Sequence, residues 1–85
     1  MFIPKEDTMM RWCERKLGKS RCKRIKLCYR KDKWLGLWDW EGTIRLNINQ
    51  LHSTSTLYRT LAHEWTHAQQ KYRHPEGTIQ QWHVE

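Results

Sequence analysis

The chain is short of the features that hold secreted scaffolds and membrane proteins together. It has 3 cysteines in 85 residues. Cys13, Cys22 and Cys28 are odd in number and show no Cys-x-x-Cys spacing, which argues against a disulfide framework or a four-cysteine zinc site and for reduced thiols in an intracellular, cytoplasmic setting, nucleus or nucleoid included. No apolar run approaches the roughly 20 residues of a membrane span, so no membrane partner is expected. The opening Met1-Phe2-Ile3-Pro4-Lys5-Glu6-Asp7 lacks the apolar core of a signal peptide. There is no internal repeat and no low-complexity linker. Residues 1–85 therefore read as one small domain, expected to be monomeric. A domain of this size buries only about 60–65 % of its unfolded surface, and a bound metal would add stability.

Acidic residues are also scarce, at 9 against 16 Lys+Arg, and the imbalance is local. Residues 1–33 carry 12 basic and 4 acidic side chains, whereas residues 34–85 carry 4 and 5. The densest run, Arg15 to Lys33, suits a polyanion, nucleic acid above all, with Lys19, Arg21, Lys23, Arg24 and Lys26 as candidate contacts. The bland alternative is a solvated basic face. Six tryptophans are many for this length, and most are expected to fill the core.

The hydrophobic pattern predicts an α+β domain. Residues 6–17 form a helix with Met9 or Met10, Trp12 or Cys13, and Leu17 on its apolar stripe, stopped by Gly18. Ile25, Leu27 and Tyr29 alternate with polar neighbours as a first strand, Trp34 to Trp38 form a second, and Ile44, Leu46 and Ile48 a third. Asp39-Trp40-Glu41-Gly42 carries turn chemistry. Short connections predict a three-stranded antiparallel meander. Ser53-Thr54-Ser55 offers N-cap residues for a helix from about 55 to 73, which Pro75 ends.

That last helix holds His63-Glu64-Trp65-Thr66-His67, a His-Glu-x-x-His pattern with about a 2 % chance of arising somewhere in a chain of this composition. Histidines four apart share one helix face, Cβ atoms roughly 5–6 Å apart, and both rings can reach one Zn²⁺ at about 2.0–2.1 Å. Glu64, turned about 100° from His63, is poorly placed as a ligand and well placed as a general base for a water held there. With His63 at 0°, Leu61, Trp65, Ala68 and Tyr72 fall between about 140° and 200°, while Thr56, Thr60, His67 and Gln70 cluster around His63. Both histidines thus point away from the core.

A catalytic zinc takes three protein ligands and a water. For the third, His83 leads, because the Pro75-Glu76-Gly77 turn would bring it back over the metal; Glu76, Glu85 and His74 are alternatives.

The stretches Gly42-Thr43-Ile44-Arg45-Leu46-Asn47 and Leu61 to Gln70 resemble the SprT-like (Spartan-type) metallopeptidases, within the minimal zincin core of helix, three-stranded sheet and His-Glu-x-x-His helix. The likeness covers roughly residues 20–85. It implies a zinc-dependent endopeptidase with one Zn²⁺, acting on a protein or peptide substrate, and often on proteins bound to DNA. In that family a later histidine completes the site; the matching position is His83, preceded by Trp82, with Val84 where the family has glycine. A minigluzincin arrangement, in which a glutamate completes the site, is the variant. With either, Glu64 is the catalytic base. The strand from Thr43 to Ile48 is expected to offer its edge to the substrate backbone. Two other functions remain open: a basic nucleic-acid-binding module with Trp12, Tyr29, Trp34 and Trp38 as stacking platforms, and an inactive zincin-fold interaction protein.

Overall fold

A computed structural model of the chain describes residues 1–73, with the side chains of residues 71–73 left aside. It is a two-layer α+β fold. Helix α1 spans Glu6–Leu17; strands β1, β2 and β3 span Arg24–Cys28, Gly36–Asp39 and Thr43–Asn47; a 3₁₀ turn covers Ile48–Gln50; helix α2 spans Thr54–Arg73. Among the described residues no helix is long and apolar enough to cross a membrane.

Helix α1 begins with Glu6 and Asp7 and ends with Arg15 and Lys16, charges that oppose its dipole at both ends. Gly18 closes it at φ 89°, a value glycine adopts without steric cost. Ser53 caps α2, its Oγ accepting the Thr56 N–H at 3.1 Å. Both helices contribute to a single core, in which Met9 and Cys13 of α1 meet Ile25, Ile44 and Leu46 of the sheet and Leu57, Leu61, Trp65 and Ala68 of α2.

The sheet is mixed, in the order β1-β3-β2, and corrects the expected antiparallel meander. Strand β2 is antiparallel to β3, but β1 runs parallel to it, with Ile25 beside Ile44 and Leu27 beside Leu46. Long-range backbone bonds explain this. The Gly42 carbonyl, just before β3, accepts the N–H groups of Lys23 and Arg24, at 2.7 and 3.1 Å, so β1 and β3 start from the same end. At the other end buried Asn47 gathers the connection from β1 to β2: its Oδ1 accepts the Arg30 N–H, and its Nδ2 donates to the carbonyls of Asp32 and Trp34, each at 3.0 Å. This seven-residue crossing (29–35) carries the chain past the β3 position, which the following hairpin then fills. Placing β3 in the centre buries Ile44 and Leu46 completely. It also corrects the expectation that β3 offers a free edge; among the described residues β1 and β2 are the edge strands.

The three cysteines are free. Burial pushes the thiols of Cys13 and Cys22 up to about 12 and about 11, so both behave as apolar core groups.

Candidate metal centre

Helix α2 is fixed from one side. Trp65 is fully buried, and its Nε1–H donates to the Gly18 carbonyl at 2.8 Å. One turn on, the Gln69 amide reaches the carbonyls of Leu17, Gly18 and Lys19, so α2 satisfies orphan acceptors at the end of α1. These contacts set the rotation of α2, and thereby where the opposite face points.

On that face the two imidazoles converge. Nε2 of His63 lies 3.2 Å from Nε2 of His67, with the rings nearly perpendicular at 84°. Two nitrogens bound tetrahedrally to one Zn²⁺ at about 2.0–2.1 Å stand roughly 3.3–3.4 Å apart. The pair is thus already spaced as a two-toothed clamp. Without an ion between them the same approach is an N–H···N hydrogen bond. Gln70 influences which form is present: its Oε1 lies 3.2 Å from Nδ1 of His67, an acceptor that favours a proton on Nδ1 and leaves the Nε2 lone pair free. Sequence reading placed Gln70 on this face but assigned it no role; its position three residues after His67 was the available signal.

Glu64 sits between the helix and β2. Burial raises its carboxyl above the ordinary range, partly opposed by the charges of His63 and His67. Its carboxylate makes no hydrogen bond or ion pair among the described residues. The wheel placed this side of α2 in the open, but β2 covers part of it. A Cβ on Gly36 would stand 2.8 Å from Thr60 Cγ2 and 3.3 Å from Glu64 Cγ, so glycine alone lets the strand come this close. Thr60 is buried by that approach. The lone Gly36 between Trp34-Leu35 and Leu37-Trp38 was the signal for it. Beside the contact opens a cleft of about 540 Å³, lined by Lys33, Trp34, Leu35, Gly36, Arg59, Thr60, His63 and Glu64.

His63, Glu64 and His67 are therefore brought together. His83, with the alternatives His74, Glu76 and Glu85, lies outside the described residues. Among the described residues no group of three His, Cys, Asp or Glu side chains is placed to hold a metal ion. The donor chemistry still fits zinc: two imidazole Nε2 atoms converge, Gln70 contacts the other ring nitrogen of one of them, and a carboxylate with no hydrogen bond among the described residues stands beside them.

The basic candidates lie elsewhere. Lys19, Arg21, Lys23, Arg24 and Lys26 are at least partly exposed, and Arg24 is paired with Glu6 at 3.0 Å. Arg21 and Lys23 line a second pocket of about 270 Å³ together with Trp38 and Trp40, whose rings pack edge to face at 6.2 Å. Of the expected stacking rings, Tyr29 is 63 % exposed, Trp34 lines the cleft, Trp38 is half-buried and Trp12 packs against Tyr58.

Comparison with known proteins gave no match: no protein family, no curated protein and no solved structure is significantly similar to this chain.

Proposed function

We propose that the chain is a zinc-dependent endopeptidase of minimal zincin type, akin to the SprT-like metallopeptidases. The observation that carries this reading is the convergence of the His63 and His67 Nε2 atoms beside a desolvated Glu64. His63 and His67 would hold the zinc, with His83 as the leading candidate to complete the set. When bound, the metal supplies Lewis-acid polarisation of the scissile carbonyl and acidifies the attacking water.

The residues of the chain do the rest. Glu64 takes the proton from that water and later delivers it to the leaving amine nitrogen. Gln70, at Nδ1 of His67, orients that ring so that Nε2 faces His63. The outer edge of β2, unpaired among the described residues and next to the cleft, supplies main-chain groups for an extended substrate, the role expected of β3. The test is Glu64→Gln: peptide hydrolysis is abolished while zinc stays bound, whereas full hydrolysis by that variant removes the mechanism.

A second reading, a nucleic-acid interface, is favoured by the pocket that joins Arg21 and Lys23 to Trp38 and Trp40. It is compatible with the first, as a peptidase acting on nucleic-acid-associated proteins would carry both sites. Its mark would be single-strand affinity that falls steeply with salt and weakens in Arg21→Ala/Lys23→Ala.

A further inference from the structure

Four arginines of the described surface are ion-paired and the other basic side chains are not, but only two of the unpaired ones line the cleft. Arg11, Arg24, Arg30 and Arg45 are each paired, with Asp7, Glu6, Asp32 and Asp39 respectively. Lys33 and Arg59 have no acidic partner among the described residues, and both line the cleft beside Glu64. Asp32, the nearest acid to Lys33 in sequence, is already engaged by Arg30 and by the Trp34 indole N–H. Glu64 is the only acid in the lining, against two cations, so the wall of the cleft has an excess of positive charge. Between them lie the apolar surfaces of Trp34 and Leu35, the latter 45 % exposed.

From this geometry we infer the substrate class: peptides with an acidic side chain within one or two residues of the scissile bond, next to an apolar or aromatic one. This rests on the peptidase reading above and adds specificity to it. Arg59 precedes His63 by four residues on α2, one turn or about 6 Å along the axis. An extended peptide advances about 3.3 Å per residue, so a carboxylate one or two residues from the reacting carbonyl spans that distance. The apolar neighbour covers Trp34 and Leu35. The strongly basic chain attracts any acidic peptide at long range, but among the described residues only Lys33 and Arg59 line the cleft with Glu64.

The experiment uses zinc-loaded protein and three fluorescent peptides, identical but for Glu, Gln or Lys beside a central Leu-Phe. Binding is read by anisotropy on Glu64→Gln, and cleavage on the wild type. The Glu peptide should bind roughly 2- to 20-fold more tightly than the Gln peptide, the range for one or two exposed ion pairs. Lys33→Ala/Arg59→Ala should erase that preference. Arg15→Ala/Lys16→Ala, which removes the same charge at the far end of α1, should keep it. Equal affinity for the Glu and Gln peptides overturns the inference, as does a preference that survives in Lys33→Ala/Arg59→Ala. Cleavage of all three peptides at one rate does so too, while leaving the peptidase reading intact. That reading fails separately, if the zinc-loaded wild type cleaves none of them.

Discussion

The two faces of α2 are built to opposite rules. Towards the core, Leu57, Leu61, Trp65 and Ala68 are fully buried, and the polar atoms of Trp65 and Gln69 have partners on the end of α1. Towards β2 and the cleft, two imidazole nitrogens face each other, and a half-buried carboxylate has no hydrogen bond among the described residues. A saturated face fixes the helix, and that fixity lets the other face hold groups in positions that are useful rather than restful. Stability and function should therefore separate by face when side chains are removed.

The largest effect is expected on the core face. Trp65→Ala removes the largest fully buried side chain among the described residues and its bond to Gly18, and should cost about 3–5 kcal/mol in denaturant unfolding. His63→Ala, two residues away but exposed, should change unfolding by less than about 0.5 kcal/mol while removing metal binding. If the two substitutions cost the same, the division between faces is wrong.

Next comes the contact through which β2 reaches the cleft face. Gly36→Ala places a methyl 2.8 Å from Thr60 Cγ2 and should cost about 1–3 kcal/mol, as overpacking does. Thr60→Ser removes the opposing methyl and should recover part of the loss in the double variant. Strict additivity of the two changes would show that β2 does not rest on α2 there.

The smallest effect concerns the turn that aims β2. Burial disfavours the Asp39 anion, but the Thr43 N–H, the Arg45 guanidinium and the Glu41 N–H outweigh that and hold its carboxyl below the usual range. A depressed folded pKa means that the stabilisation is present above the ordinary carboxylate pKa and is lost as pH falls through the folded value. Asp39→Asn should cost about 1 kcal/mol at pH 7, with the difference from wild type shrinking in acid. A gap that stays constant down to pH 2 would assign Asp39 no electrostatic role.

Much of the site was legible because it is local. Spacing four along a helix puts His63 and His67 on one face whatever the rest of the chain does, and Ser53 and Gly18 mark helix ends through their own backbone chemistry. Sheet order was not legible. Alternation in Ile25-Leu27 and Ile44-Leu46 reveals which side chains face the core, but not which strands are neighbours. That was decided by the Gly42 carbonyl and by Asn47, which reads as a polar strand residue yet is fully buried, holding three backbone groups. Gly36 shows the same limit: its role appears only when Thr60 and Glu64 are brought against it.

The central claim is that His63 and His67 form a preset zinc clamp. Zinc stoichiometry and affinity, measured by titration calorimetry on wild type, His63→Ala, His67→Ala and His83→Ala, test it most directly. The expected result is one zinc per wild-type chain, lost in either of the first two variants with little change in the unfolding midpoint of the zinc-stripped protein, and weakened in the third if His83 completes the site. Stoichiometric zinc retained in both His63→Ala and His67→Ala, or no zinc bound by the wild type, would contradict it.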